Sequence, residues 1–244
     1  MNATFEKEYI VDSRDVDLFG TLRPSTMLAN LQDAATIHGF LQGMGREVLV
    51  ERYNAFWMMA RLSFHLDRPI RFGETLNVCT YHRGSGGAMV YRDFDLTVDG
   101  QPVGECTTAW VVTTFDTRTM LRPKRIPELV NAEYPSVTKS KTLGHLKPPG
   151  ELQLLELRPV RYSETDINGH MNNTRYADVA CDAIGYEKMK DRFLSDMQIN
   201  YLKECFAGET LHVLGVPTED GWFIRGADDA GSAHVDMTLG FTDR

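Results

Sequence analysis

The sequence has few cysteines, an excess of negative over positive charge and no long apolar run. Its four cysteines are scattered among 244 residues, without the close pairs of a zinc site or the density of a small secreted scaffold. We therefore expect reduced thiols and no metal. The net charge of -8 argues against a nucleic-acid partner, because phosphate recognition requires a basic surface. No stretch reaches the roughly 20 apolar residues of a spanning helix, and residues 1–17 hold no apolar run flanked by positive charge, so we expect a cytoplasmic protein without a membrane partner.

A hydrophobic content of 42% in a chain of this length is enough for one large domain or two small ones. The apolar pattern lapses around residues 122–150, where prolines stand at positions 123, 127, 135, 148 and 149 among charged and small residues. This composition predicts a linker. We place a first domain at 1–125, the linker at 126–150 and a second domain at 151–244.

Each side of the predicted linker contains one helix followed by strands. Pro24 is well placed to begin a helix whose apolar face runs from Met27 to Leu41, and a second helical pattern covers 174–186. Glycine-rich and Asp-Gly connectors predict antiparallel hairpins between the strands. Alternating patterns predict strands at 5–11, 56–66, 75–81, 89–98 and 103–115, and then at 152–162, 197–203, 210–216, 222–226 and 234–241.

The two halves also repeat in sequence. Residues 17–22, Asp-Leu-Phe-Gly-Thr-Leu, align with residues 166–171, Asp-Ile-Asn-Gly-His-Met. Likewise, Gly-Glu-Thr-Leu-Asn-Val at 73–78 aligns with Gly-Glu-Thr-Leu-His-Val at 208–213. A duplicated fold that keeps a polar motif in one copy predicts that the second half reacts and that the first half binds, positions or stabilises.

The polar motif of the second copy precedes its predicted helix. If residues 166–171 are extended, Asp166, Asn168 and His170 leave the backbone on one face and present a carboxylate, an amide and an imidazole. The N–H groups of residues 169–172 would then be placed to receive an oxyanion. The alternative is structural, because Asp and Asn commonly form turns and helix caps. The loss of most of the motif from the first copy favours catalysis.

Glu204 and Cys205 lie near the end of the predicted strand 197–203, where alternation points one of them toward the core. An inward carboxylate needs a partner or a chemical role. In the structural alternative, Glu204 lies in solvent and Cys205 is a small buried residue. A nucleophilic Cys205 assisted by His170 is a further alternative, which requires a thiol pKa below its usual range.

With these motifs, the sequence resembles the acyl-acyl carrier protein thioesterases, in particular the bacterial relatives of the plant plastid enzymes. Residues 166–176, Asp-Ile-Asn-Gly-His-Met-Asn-Asn-Thr-Arg-Tyr, are similar to the family segment D-x-N-x-H-x-N-N-x-x-Y. The resemblance covers nearly the whole chain. It implies an α+β fold of tandem hotdog domains, each a long helix wrapped by an antiparallel β-sheet. It also implies that the protein hydrolyses the thioester of fatty acyl-acyl carrier protein (acyl-ACP) without a cofactor.

The resemblance implies a catalytic role for Asp166, Asn168, His170 and Glu204, with Cys205 a candidate nucleophile and with the acyl pocket largely in the first half. A thioester leaves as a thiolate whose conjugate acid has a pKa near 8.5, so departure needs little acid assistance. We expect Asp166 or Glu204 to activate water, or Asp166 to attack the carbonyl directly, while Asn168 and His170 orient groups and stabilise charge.

The implied partner, acyl carrier protein, is typically acidic, so this acidic chain must dock it on a local basic cluster. Two alternatives to this function stay open, a tandem-hotdog acyl-CoA thioesterase and a non-catalytic acyl-sensing module. The oligomeric state also stays open, with a homodimer among the options. The candidate docking residues flank the motif or its first-half equivalent: Arg68, Arg71, Arg161, Arg175, Lys188, Lys190 and Arg192.

Overall fold

The computed structural model describes residues 3–130 and 143–244, so residues 131–142 of the predicted linker, including Pro135, lie outside the described residues. The helices are α1 Pro24–Leu41, α2 Arg46–Tyr53, α3 Pro127–Val130 and α4 Arg175–Ile184. The first-half strands are β1 Thr4–Ile10, β2 Ala55–Leu66, β3 Thr75–Gly86, β4 Met89–Val98, β5 Gln101–Thr114 and β6 Met120–Leu121. The second-half strands are β7 Gln153–Pro159, β8 Arg192–Tyr201, β9 Thr210–Pro217, β10 Gly221–Ala227 and β11 Ala233–Asp243.

The described strands form one antiparallel sheet in the order β1-β3-β4-β5-β2-β8-β11-β10-β9-β7, with β6 paired to β5. The strand order of the first half is therefore repeated, in reverse, in the second half. The two halves meet where β2 pairs with β8, from Arg61 opposite Asn200 to His65 opposite Asp196. Even the irregularities repeat. The β2–β5 pairing shifts register between Met59 and Arg61, and the β8–β11 pairing shifts between residues 240 and 241, at the equivalent place. The chain is thus an internal pseudo-dimer.

The two main helices differ in length. α1 has 18 residues and buries Met27 and Leu31, whereas the predicted end of its apolar face, Leu41, is exposed. α4 has 10 residues and is shorter than the predicted 174–186, because Gly185 takes a φ of 85° and ends it. α2 was absent from the prediction, since Leu49 is its one buried residue and its sequence shows no apolar period.

The predicted strands all overlap observed ones, and the difference is largest at β8. It begins at Arg192 rather than residue 197, because Phe193, Leu194 and Ser195 are all buried and the alternation is lost there. One cluster of buried apolar side chains runs through both halves, including Phe64 from β2 and Met197 from β8. These features confirm the predicted α+β fold of tandem hotdog domains. None of the helices that the structure describes has the length and apolar character to cross a bilayer.

Candidate active site

The polar motif of the second half folds as a tight turn, so the prediction that it is extended was wrong. The N–H of Asp166 donates to the carbonyl of His170 at 3.1 Å, and the N–H of Gly169 donates back to the carbonyl of Asp166 at 3.0 Å. Asp166 Oδ1 accepts the N–H of Asn168 at 2.8 Å. Gly169 supplies the positive φ of 81° that the turn requires. The side chains therefore do not simply alternate on one face.

The first half contains the same turn. Asp17 Oδ1 accepts the N–H groups of Phe19 and Thr21 at 2.9 and 3.0 Å, and Gly20 has a φ of 73°. The aspartate and the glycine are the two motif residues that both copies keep. Their shared role is structural, because each aspartate closes its turn with side-chain hydrogen bonds. What distinguishes the second copy is the set of groups placed around this turn.

His170 and Glu204 meet in that second copy. The N–H of Met171 donates to the carbonyl of Cys205 at 2.7 Å, which ties the turn to the chain segment that carries Glu204. His170 Nε2 lies 3.7 Å from Glu204 Oε1, and His170 Nδ1 lies 4.0 Å from Asp166 Oδ1. All three side chains are mostly buried, with exposed fractions of 16%, 23% and 20% for His170, Glu204 and Asp166. The structure thus brings three of the predicted site residues together.

The two asparagines of the motif have different positions. Asn168 is exposed, and its backbone N–H is the group that contacts Asp166. Asn172, which the sequence prediction did not include in the site, donates from Nδ2 to Asp166 Oδ2 at 3.2 Å. Its Oδ1 accepts the N–H and the hydroxyl of Thr174 at 3.0 and 2.8 Å, just before α4 begins. Asn172 therefore joins the helix start to the Asp166 carboxylate.

Arg118 is a site residue that sequence reasoning missed. It lies between β5 and β6 of the first half, with a positive φ of 52°, and its Nη1 donates to Glu204 Oε1 at 3.1 Å. Its guanidinium also lies over the ring of Phe56, 5.2 Å from the centroid. Arg118 and Glu204 are 86 residues apart, so no local motif connects them. The first half thus contributes a cation to the site of the second half.

Cys205 lies away from this group, inside the core. Its exposed fraction is 1%, and burial followed by the nearby Glu209 carboxylate raises the pKa of its thiol to about 12. A thiol with a raised pKa stays neutral near pH 7 and is a weak nucleophile. The structure therefore favours the buried, structural alternative for Cys205, while Glu204 faces the site rather than open solvent.

Three of the four backbone N–H groups in the predicted oxyanion site, at residues 169–172, are already paired within the fold. The N–H of Gly169 donates to Asp166, that of Met171 to Cys205 and that of Asn172 to Glu164, all through carbonyl acceptors. Groups already paired within the fold cannot also receive a developing charge. The backbone N–H of His170, for which the described residues offer no such acceptor, and the side chains of Asn168 and Arg118 are then the donors left to stabilise an oxyanion here.

Two cavities follow the pseudo-dimer symmetry. One of about 290 Å³ lies between α1 and the start of α4, with Gln32, Thr36, Asn172 and Thr174 among its lining residues. Its counterpart of about 780 Å³ lies between the Asp17 turn and α4. Neither His170 nor Glu204 lines the larger cavity, so the larger opening is on the side of the copy that lost the polar motif.

Comparison with known proteins gives a consistent result. Residues 2–134 match the family model for the acyl-ACP thioesterase N-terminal domain, and residues 149–234 match the model for its C-terminal domain. The chain is 25% identical to oleoyl-acyl carrier protein thioesterase 2 of Arabidopsis thaliana, over 83% of this chain and 60% of that protein. It is 26% identical to dodecanoyl-[acyl-carrier-protein] hydrolase of Cinnamomum camphora, over 86% and 58%. The chain thus spans about three fifths of the length of these curated relatives.

Solved structures agree on the fold. An acyl-ACP thioesterase from Bacteroides thetaiotaomicron superposes with a TM-score of 0.90 at 20% identity, covering 98% of both chains. The 12:0-ACP thioesterase from Umbellularia californica gives 0.87 at 18% identity, covering 100% of this chain and 99% of that one. Because the two family models together match most of the sequence, on both sides of the predicted linker, the chain belongs to the acyl-ACP thioesterase family.

Proposed function

We propose that this protein hydrolyses the thioester of fatty acyl-ACP and releases free fatty acid and holo-ACP. The observation that carries the proposal is the convergence of Asp166, His170 and Glu204 within 4.0 Å contacts in the second half alone. At the aligned positions the first half has Thr21 and Pro69 in place of the imidazole and the carboxylate. Family membership supports the reaction class, and the asymmetry between the halves supports one reactive site per chain.

We assign the base to Glu204 rather than to Asp166. Both oxygens of Asp166 already accept hydrogen bonds, from the Asn168 N–H and from the Asn172 side chain. Glu204 Oε1 faces His170 Nε2 across 3.7 Å, a separation suited to a shared water. In this mechanism the water loses a proton to Glu204 while its oxygen attacks the carbonyl carbon. Collapse of the tetrahedral intermediate breaks the C–S bond, and the proton passes from Glu204 to the departing thiolate.

His170 orients that water. Its Nδ1 lies 3.2 Å from the carbonyl oxygen of Met171, which fixes the proton on Nδ1 and leaves Nε2 directed toward Glu204. Asp166 lies on the Nδ1 side of the ring, with its Oδ1 4.0 Å from Nδ1, where it helps to orient the imidazole and also closes the turn. Direct attack by Asp166 is the second candidate, and it requires the carboxylate to give up hydrogen bonds that close the turn.

We assign acyl-chain binding to the first domain, 1–125, and the reaction to the second domain, 151–244, joined by the linker 126–150. Two contacts between the halves support this division. Arg118 of the first half reaches Glu204, and α1 of the first half forms a cavity wall opposite Asn172. An acyl chain bound between the two halves would therefore have its thioester end close to the turn of the second half.

We propose that acyl carrier protein docks on the arginines and lysines around the second-half turn and the central strands. Arg161, Lys188 and Lys190 are exposed, whereas Arg68 is engaged by Glu74 at 2.9 Å. We place the reaction in the cytoplasm, supported by four cysteines that are all free thiols. A homodimer stays a prediction.

The direct test is hydrolysis of one acyl chain presented on acyl carrier protein and on coenzyme A. Preference for the carrier protein, with release of the free acid and one thiol, supports the proposal. Faster turnover of the coenzyme A thioester would favour the acyl-CoA alternative. Tight acyl binding without turnover on either carrier would favour the acyl-sensing alternative.

The site assignment has a matched control in the repeated turn. Glu204→Gln and His170→Ala should each lower kcat by about 10² to 10⁴-fold, the usual range for a positioned acid or base. Asp166→Asn should lower kcat strongly, whereas Asp17→Asn, the same change in the first-half turn, should leave activity close to wild type. Equal effects of the two asparagine variants would show that the turns matter only for folding.

A further inference from the structure

Three potential metal ligands meet beside the core of the second half. The Cys205 thiol, a Glu209 carboxylate oxygen and a ring nitrogen of His234 all lie within 4.8 Å of one another. Cys205 and His234 are buried, with exposed fractions of 1% and 2%, while Glu209 reaches the surface. The three residues come from the segment after β8, the start of β9 and the start of β11. They are therefore brought together by the fold and not by sequence spacing.

The first half shows which residues stand at the positions equivalent to Cys205 and His234 when those positions serve only for packing. Backbone hydrogen bonds fix the equivalence, since Asp67 N–H donates to the carbonyl of Val103 at 2.9 Å and Leu202 N–H donates to that of His234 at 2.8 Å. In the same way, the N–H of Leu22 donates to the carbonyl of Ile70, and the N–H of Met171 donates to the carbonyl of Cys205. A buried Ile–Val pair in one copy is thus a buried Cys–His pair in the other.

The imidazole of His234 is poorly satisfied for so buried a group. Neither ring nitrogen has a hydrogen-bond partner among the described residues, although Nε2 lies 3.5 Å from Asp228 Oδ2. Buried polar side chains in native structures are nearly always hydrogen-bonded, and an orphaned one requires an explanation. Replacing valine by histidine at this point is unfavourable for packing alone, because the buried ring gains only the long contact to Asp228.

The charges around the cluster favour a divalent cation. Glu209 and Asp228 bring two negative charges, and the Lys203 ammonium, 3.0 Å from Asp228, brings one positive charge. Without an ion, these three side chains and the neutral thiol carry a net charge of -1. A divalent ion that displaces the thiol proton adds one net positive charge, so the ion and its surrounding side chains together become neutral. Glu209 Oε2 accepts the N–H of Phe206 at 2.8 Å, which holds the carboxylate in place beside the Cys205 thiol.

We propose that Cys205, Glu209 and His234 form a zinc site, with a water in the fourth position. A thiolate, an imidazole and a carboxylate are the ligand types that Zn²⁺ takes in proteins, and a tetrahedral ion requires small side-chain rotations to draw the three atoms together. Binding forms the Zn–S bond and releases the thiol proton to solvent. The ion would connect the segment that carries Glu204 to β9 and β11, so it would hold the catalytic carboxylate segment against the core. Zinc binding itself does not depend on the proposed hydrolysis, because none of the three ligand side chains takes part in the proposed reaction.

The test measures metal binding by the full chain prepared without an affinity tag that binds metals. We expect one zinc per chain by elemental mass spectrometry, proton release on titration of the apo-protein with zinc, and a thiolate-to-metal charge-transfer band on titration with cobalt. Thermal unfolding of the wild type should shift upward with zinc concentration. These readouts do not depend on activity.

The first half supplies substitutions that keep the fold. Cys205→Ile with His234→Val restores the pair found at Ile70 and Val103, so the double variant should fold, and it should lose zinc affinity by at least about 10²-fold together with the charge-transfer band. Cys79→Ser removes a thiol elsewhere and should leave both unchanged. Zinc binding that persists in the double variant would overturn the assignment. So would a wild-type protein that takes up no zinc and shows no thiolate band.

Discussion

Removal of the Arg118 guanidinium tests whether the first half tunes the reactive carboxylate of the second. Arg118 Nη1 lies 3.1 Å from Glu204 Oε1, but the arginine side chain is 54% exposed and the glutamate 23%. Solvent screens such a pair, and partly exposed ion pairs contribute at most about 1 kcal/mol. That free energy corresponds to about a fivefold change. We therefore expect Arg118→Ala to lower kcat/KM by about fivefold, far less than the loss from Glu204→Gln.

The assay is a double-mutant cycle with steady-state hydrolysis of acyl-ACP. If Arg118 acts by positioning Glu204, Arg118→Ala should have almost no effect in the Glu204→Gln background, and Arg118→Lys should recover part of the activity. Thermal unfolding of each variant controls for loss of folding. Additive effects of the two substitutions would refute the reasoning and would place Arg118 in carrier-protein docking instead. A loss of 10³-fold in the single variant would also refute it, since a screened ion pair cannot account for that.

Three further outcomes follow from particular contacts. His65 pairs with Asp196 across the central strands at 2.7 Å, and this hydrogen bond raises the pKa of His65. The pair therefore contributes its full stabilisation below pH about 6.5, the pKa of an unfolded histidine, and loses it as pH rises through the raised pKa of the folded state. We expect the difference in unfolding free energy between wild type and Asp196→Asn to shrink as pH rises. Gly221→Ala would place a methyl group against the carbonyl of Leu239 and should destabilise by about 1–3 kcal/mol in denaturant unfolding, whereas Gly150→Ala meets nothing within 4 Å and should be neutral. Hydrolysis of acyl-ACP should slow as ionic strength rises, and a flat dependence would contradict docking on the basic residues.

The fold could be predicted from the sequence because its two signals are local and repeated. Alternation and turn residues predict the strands, and the Asp-Leu-Phe-Gly and Asp-Ile-Asn-Gly segments show the duplication in the letters of the sequence themselves. We did not predict that these segments are closed turns. The sequence signal was an Asp followed three residues later by Gly. In the structure the Asp side chain accepts a downstream N–H and the Gly takes a positive φ.

The parts of the site that depend on distant contacts could not be predicted. Arg118 reaches Glu204 only because β2 pairs with β8 and brings the β5–β6 turn beside the second half. The same holds for a buried cluster in the first half, where Arg92 contacts His38 and His82 at 2.9 and 2.7 Å. Burial lowers the pKa of Arg92 to about 9, yet an arginine within an alternating strand is normally read as exposed.

The pairing of β2 with β8 has an evolutionary consequence. In an assembly of two identical subunits, each substitution enters both copies of a symmetric interface at once, so a change that harms one copy cannot be confined to it. Joining both halves in one chain removes this restriction. The first copy can carry Thr21 and Pro69 at the positions where the second copy carries His170 and Glu204. Covalent duplication is therefore what allows the two ends of one sheet to specialise separately.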